Sequence, residues 1–168
     1  MAQTSNSANS LLMVRGPRGR YKPATNEQVI DAARVVIGQM FKRGTKLTSP
    51  KIVQTYLRTK LATLEHEVFA VLFLDAQLRL IEYAELFRGT ISQSTVYPRE
   101  VVKETLRRNA AAVILAHNHP SGIAEPSMAD RAITARLRNA LDLVDVRVLD
   151  HIIVAGKNTL SFANKGLL

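Results

Sequence analysis

Cysteine and tryptophan are both absent from this chain of 168 residues. Without cysteine there is no disulfide scaffold, no Cys-ligated zinc finger, no iron–sulfur cluster and no cysteine nucleophile. The absence also fits a reducing cytoplasm. No apolar run approaches the roughly 18 residues of a membrane-spanning helix, and the apolar stretch Leu11–Val14 is too short for a signal peptide. We therefore expect a cytoplasmic protein with no membrane partner.

The composition is that of a globular protein. Apolar residues make up 46% of the chain and charged residues 22%, a balance that excludes wholesale disorder. A chain of this length corresponds to about one domain of roughly 100–200 residues. It is long enough to bury a core without metal or disulfide staples.

The positive charge is concentrated in the first third of the chain. The formal net charge is +9. Residues 1–24 carry four basic residues and no acidic one, residues 25–62 carry seven against two, and residues 63–168 carry twelve of each. Such a segment is either a solvated, solubilising face or a weak, salt-sensitive nucleic-acid contact. The sequence therefore predicts a possible nucleic-acid partner for residues 1–62, without an aromatic binding platform.

Two segments precede the main domain. Residues 1–24 are rich in Ser, Asn, Gly, Arg and Pro and show no periodicity, which predicts a disordered basic tail. Residues 25–62 are predicted to form two helices. A capping box of Thr25 and Gln28 opens the first, which Gly44 ends, and Ser49 with Pro50 opens the second.

Residues 63–168 are predicted to form an α/β domain. Residues 68–74 and 110–116 are wholly apolar, which is typical of strands buried on both faces of a sheet. Helices are expected from Pro98 to Arg108 and from Ser127 to about Leu143. Short strands follow, listed by position as 146–149, 152–155 and 160–162. Together with the two preceding helices, this order predicts an α/β sandwich with a mixed central sheet.

Two histidines and an aspartate lie where the second buried strand ends. Residues i and i+2 of an extended chain face the same side, so His117 and His119 can hold one metal ion. Asp130, on the first turn of the next helix, can supply an oxygen ligand. Two histidines, one carboxylate and one open position form the ligand set of a catalytic zinc ion. A structural alternative remains, because Ser127 and Asp130 also have the spacing of a helix capping box.

These residues fill the JAMM signature of the JAB/MPN metallopeptidase fold: His-x-His, seven residues, Ser, two residues, Asp. The chain resembles the RadC family more specifically, from about residue 25 to its end. Further motifs of that family occur in order, namely Arg88-Gly-Thr90, Tyr97-Pro-Arg-Glu-Val101, Asn109-Ala-Ala111, His117-Asn-His-Pro-Ser-Gly122, Pro126-Ser127 and Asp150-His151. Full-length members usually begin with a longer helical region, so this chain looks like the short form.

The resemblance implies a JAB/MPN-like α/β sandwich and a zinc-dependent hydrolase. The hydrolase would cleave a peptide or isopeptide bond, in a peptide or protein substrate that the sequence does not identify. His117, His119 and Asp130 would hold Zn²⁺. The Ser127 hydroxyl would donate a hydrogen bond to the developing oxyanion. Asn118 stands where eukaryotic JAMM isopeptidases have Ser or Thr, which leaves ubiquitin-like substrates unsupported.

A glutamate outside the motif would be the general base. The resemblance favours Glu67, which directly precedes an apolar strand, as the family's glutamate does. Glu85 is the alternative, at the end of a second strand that alternating apolar residues predict over 78–84. His151 also precedes an apolar strand. It could support a metal ligand, but we predict a structural role for it.

Two rival functions follow from other features. The basic first third and the family's traditional label favour an accessory protein of DNA repair, in which the metal site is structural or vestigial. The even charge balance of residues 63–168 speaks against a binding role for the motif-bearing domain. A zinc deaminase would need the signature H-x-E with a later P-C-x-x-C, which a chain without cysteine cannot supply.

Overall fold

The computed structural model describes residues 12–17, 19–89 and 96–168. The described residues up to Met40 form one compact unit, and Phe41–Leu168 form a second. The division falls inside the segment 25–62, so its two helices belong to different units. Within the described ranges, no helix combines the length and apolarity needed to cross a membrane.

The first unit contains a hairpin and one helix. Strands β1 (Met13–Arg15) and β2 (Tyr21–Pro23) pair antiparallel. Gly19 lies in the turn at a φ of 74°, which glycine adopts without a Cβ penalty. This hairpin differs from the tail expected over 1–24, because strand pairing between short segments leaves no apolar periodicity to read. Residues 1–11 and Arg18 of that tail lie outside the described part.

Helix α1 (Asn26–Met40) begins at the predicted capping box. The Thr25 amide donates to Gln28 Oε1 at 3.0 Å, and the Gln28 amide donates to Thr25 Oγ1 at 3.2 Å. The helix ends at Met40 rather than at Gly44, because the next residue, Phe41, is buried in the second unit. None of the residues of α1 is buried.

The described part of the second unit has a five-stranded mixed sheet and three helices. The helices are α2 (Pro50–Leu61), α3 (Pro98–Arg107) and α4 (Met128–Asp142). The strands are β3 (Val68–Leu74), β4 (Leu80–Arg88), β5 (Ala112–Asn118), β6 (Arg147–Ala155) and β7 (Asn158–Ser161). Their order is β4-β3-β5-β6-β7, with β5 and β6 parallel and the other neighbours antiparallel. The predicted α/β fold with a mixed sheet is therefore confirmed.

Strand β6 is continuous, whereas the sequence predicts two strands separated near Asp150 and His151. Both polar side chains have partners inside the fold. Asp150 accepts hydrogen bonds from the Ser161 hydroxyl at 2.6 Å and the Ala163 amide at 3.0 Å, and His151 is fully buried. Because neither residue needs water, the strand runs through them.

The main core lies between the sheet and helices α3 and α4. Strands β3 and β5 are buried along their whole length, as predicted. Their alternate residues Phe69 to Phe73 and Val113 to Leu115 pack with Val101 of α3 and Leu137 of α4. His117 follows Leu115 by two positions, so its side chain points to the same face, toward α4.

Candidate metal centre

The central strand carries the two histidines of the site. Strand β5 extends through Asn118, beyond the predicted end, because the His119 amide still donates to the Val154 carbonyl at 2.8 Å. His117 is 1% exposed. The Nε2 atoms of His117 and His119 lie 2.9 Å apart, which the i, i+2 spacing on one face of a strand predicts.

Helix α4 brings the carboxylate of Asp130 to this pair. Asp130 Oδ1 lies 3.1 Å from His117 Nε2, and Asp130 Oδ2 lies 3.4 Å from His119 Nε2. Asp130 is also the last residue of the predicted capping box and the third residue of the helix, and its amide donates to Ser127 Oγ at 3.1 Å. In return Oδ2 accepts from the Ser127 amide at 2.7 Å and its hydroxyl at 2.6 Å. The helix cap and the candidate ligand are thus the same group.

The separations suit a tetrahedral metal ion. The ligand atoms of His117, His119 and Asp130 all lie within 4.8 Å of one another. An ion with bonds of roughly 2.0–2.1 Å needs ligand atoms about 3.3 Å apart. His119 Nδ1 lies 2.8 Å from the Ile123 carbonyl, which can only accept, so the ring proton sits on Nδ1. With the first proton on Nδ1, Nε2 of His119 faces the carboxylate at 3.4 Å, and either a second proton or a metal ion at that position satisfies both atoms.

The site favours positive charge at its centre. The hydrogen bond to Asp130 raises the pKa of His119, although burial opposes this shift. Burial alone would raise the pKa of Asp130, but hydrogen bonds from His117, His119 and Ser127 outweigh it and hold that pKa well below its usual range. The cluster His117, His119 and Asp130 could hold a metal ion.

A third histidine lies directly behind the cluster. His151 Nε2 is 2.8 Å from His117 Nδ1, and His151 Nδ1 is 2.6 Å from Thr134 Oγ1. Burial lowers the pKa of His151, and the charge of His117 adds to this effect. The sequence favours a structural role for His151 over a role as partner to a ligand, whereas the structure places it in contact with the candidate ligand His117.

The two candidate bases lie in different places. Phe69 of β3 pairs with His117, and continuing this antiparallel register by two residues sets Glu67 opposite His119. The charge of Glu67 contributes to raising the pKa of His119. Glu85 is exposed on the outer strand β4 and accepts hydrogen bonds from Tyr83 and Arg88.

Asn118, between the two histidines, holds the chain segment that carries Glu67. Its Oδ1 accepts from the Val68 amide at 2.8 Å, and its Nδ2 donates to the carbonyls of His66 at 3.0 Å and Leu64 at 3.3 Å. Sequence reasoning attached no positional role to Asn118. The signal available was its i+1 position in the strand, which points it to the face opposite the histidines.

Thr134 is the other residue that sequence reasoning missed. It lies one helical turn after Asp130, so the i+4 spacing places both on one face of α4. Its hydroxyl donates to the Asp130 carbonyl at 2.5 Å, and its side chain is buried.

The Thr90 position of the Arg88-Gly-Thr motif lies outside the described residues.

The fold and the site together define an α/β domain with a candidate metal centre at the end of its central strand. A profile of the RadC-like JAB domain matches residues 47–167, and the chain belongs to this family. It is 55% identical over 159 residues to a UPF0758 protein of Vibrio cholerae serotype O1, covering 93% of this chain and 100% of that protein. A UPF0758 protein of Leptothrix cholodnii is 55% identical over 150 residues, covering 89% and 68% respectively.

Proposed function

We propose that this protein is a zinc-dependent hydrolase that cleaves a peptide or isopeptide bond. The observation that carries the proposal is the convergence of His117, His119 and Asp130, whose ligand atoms lie within 4.8 Å of one another at the end of β5. Two imidazoles and one carboxylate leave one tetrahedral position open, as catalytic zinc sites do. When bound, the ion would make water acidic enough to ionise near neutral pH.

The chain's own residues would divide the remaining work. Glu67 would accept a proton from water and return it to the leaving amine, which its register position opposite His119 supports. The Ser127 hydroxyl would donate to the oxyanion after releasing Asp130 Oδ2, its present acceptor. Ile123 and Met128, which flank the loop before α4, are 60% and 87% exposed. They are available to contact apolar side chains of a peptide substrate.

The test is metal analysis of protein purified without chelator. We expect about one zinc per chain in the wild type, and its loss in a His117→Ala, His119→Ala double variant. His66→Ala is the matched control, because His66 lies outside the ligand cluster and should leave the zinc content unchanged. Substoichiometric metal in the wild type, or full zinc in the double variant, would contradict the proposal.

A second candidate function, an accessory role on nucleic acid, is favoured by exposed positive charge. Residues 41–62 contain no acidic residue. Their six basic side chains are all exposed, namely Lys42, Arg43, Lys46, Lys51, Arg58 and Lys60. In this role the metal site would be structural, and phosphate contacts would supply the affinity.

A further inference from the structure

We propose that Thr134 and His151 are positioning residues that fix the tautomer of His117, with the ring proton on Nδ1 and the lone pair on Nε2. This inference deepens the proposed metal site and rests on it. It follows from counting protons along a chain of three short hydrogen bonds that runs from helix α4 through strand β6 to strand β5.

The first bond sets the direction of the chain. Thr134 Oγ1 and the Asp130 carbonyl oxygen lie 2.5 Å apart. Two oxygen atoms at this distance need a proton between them, and a carbonyl has none to give. The single hydroxyl proton of Thr134 is therefore committed to Asp130, and toward any other neighbour Thr134 Oγ1 can only accept.

The second bond fixes His151. Its Nδ1 lies 2.6 Å from Thr134 Oγ1 and must donate to it. The imidazole is buried, with its centroid 5.6 Å from the Phe69 ring and 4.8 Å from the Phe162 ring. Apolar surroundings favour the neutral ring, which carries one proton. Because that proton is on Nδ1, Nε2 of His151 is an acceptor.

The third bond fixes His117. Its Nδ1 lies 2.8 Å from His151 Nε2, so Nδ1 must donate. With Nδ1 as the donor, Nε2 is the nitrogen left to bind a metal ion, and it lies 3.1 Å from Asp130 Oδ1 and 2.9 Å from His119 Nε2. Metal-ligating histidines are held in this way by the partner of the other ring nitrogen. Here one helix supplies both the carboxylate ligand and, one turn later, the hydroxyl that orients a histidine ligand.

The first experiment reads the ring protons directly. Long-range ¹H–¹⁵N correlation spectra of the metal-free, full-length protein distinguish imidazole tautomers, and single histidine variants assign the four rings. We expect protonated Nδ1 on both His117 and His151. A bare Nδ1 on His117 would overturn the inference, and this measurement does not depend on zinc binding.

The second experiment measures zinc affinity by competition with a chromophoric chelator. Thr134→Val removes the hydroxyl at nearly constant volume, so both tautomers of His151 become available and the order of His117 is lost. We expect zinc to bind about 10–100-fold more weakly and the His117 spectrum to show mixed tautomers. Thr134→Ser keeps a hydroxyl and should restore both readouts.

Thr105→Val is the matched control for losing a buried hydroxyl. Thr105 is fully buried on α3 and donates to the Val101 carbonyl at 2.7 Å with the same i−4 spacing. It should leave zinc affinity and the His117 tautomer unchanged. Equal loss of affinity in both valine variants, or no recovery in Thr134→Ser, would contradict the inference. A wild type that binds no zinc but has Nδ1 of His117 protonated would refute the metal site alone.

Discussion

The charge of Glu67 affects His119, one of the three candidate ligands. Its position opposite His119, two residues beyond the Phe69–His117 pair, lets a carboxylate raise the pKa of the imidazole. Glu85 belongs to the same sheet, but its carboxylate interacts with Tyr83 and Arg88 on the outer strand. The two glutamates therefore form a matched pair for separating a role in the site from a role in the sheet.

Glu67→Gln should lower the pKa of His119 in the metal-free protein, because it removes a negative charge that favours the imidazolium. Glu85→Gln should leave that pKa unchanged. An NMR titration of the imidazole resonances between pH 5 and 9 measures both. On a peptide that the wild type hydrolyses, Glu67→Gln should also slow turnover about 10²–10⁴-fold while zinc is retained. Equal effects of the two variants would refute the assignment of Glu67.

At the scale of single residues, the sequence predicts those contacts that local geometry creates. His117 and His119 are neighbours on one strand face, and Ser127 with Asp130 form a capping box whatever the tertiary structure. His151 is different, because its contact with His117 depends on the parallel pairing of β5 with β6. Only the assembled sheet shows that contact.

Arg108, directly after the C-terminal end of helix α3, connects this helix to the sheet. The Arg108 side chain is 8% exposed and donates to Glu82 on β4 at 2.9 Å and 3.0 Å, and also to Glu104. Its guanidinium carbon lies 4.5 Å from the centroid of the Phe73 ring. Neighbouring Arg107 pairs with the same Glu104 but is 62% exposed.

Arg108→Ala should reduce the free energy of unfolding by about 1–3 kcal/mol, since it removes charge-assisted hydrogen bonds together with a buried stem. Arg107→Ala, the control, should change it by no more than about 0.5 kcal/mol. Urea unfolding followed by circular dichroism measures both. Equal destabilisation by the two variants would show that burial of Arg108 does not matter.

The same pair has a defined pH dependence. The hydrogen bond from Arg108 lowers the pKa of Glu104. A carboxylate with a lowered pKa adds stability above its unfolded value of about 4.3, and that stability is lost as the pH falls through the folded value. The stability difference between wild type and Arg108→Ala should therefore be constant near pH 7 and shrink below about pH 4.

Element types were predictable where a segment has a clear apolar period. Strand β3 has the predicted bounds, and α4 lies within about a residue of the prediction. The division of β6 was wrong, because Asp150 and His151 look like a polar break. Their partners Ser161 and Thr134 belong to other elements, and no local sequence pattern predicts these contacts.

At the scale of the whole molecule, the described basic residues among 12–62 are all exposed. We propose that nucleic acid, if bound, contacts the exposed basic side chains among residues 1–62. Changing Lys42, Arg43 and Lys46 to Gln should make the negative slope of log K against log salt shallower by up to about 2.7, at about 0.9 per lost phosphate contact. Fluorescence anisotropy with duplex DNA at several salt concentrations measures this slope.

The control for that experiment changes Arg136, Arg138 and Lys165 to Gln. These three residues are also exposed, and the total charge falls by the same amount, but they lie in the segment with balanced charge. We expect the slope to stay close to the wild-type value. Equal losses in the two triple variants would mean that net charge alone, and no particular segment, governs binding.

Domain organisation is less predictable than fold class. Composition places boundaries near residues 24 and 62, where charge and periodicity change, whereas the compact units divide after Met40. The difference arises because burial of Phe41, Tyr56 and Leu57 assigns α2 to the second unit. Two amphipathic helices in succession look alike in sequence, and only their packing partners separate them.

Because β5 is central in the sheet, the candidate ligands differ in the size of the fluctuation that can displace them. Amides inside a sheet exchange with solvent only when most of the molecule unfolds, while the first turn of a helix opens in smaller fluctuations. His117 lies on the strand with neighbours on both sides, and Asp130 lies on the first turn of α4. The His117 imidazole is therefore displaced only when most of the domain unfolds. Local fluctuations can displace Asp130, and also His119, which follows the end of β5.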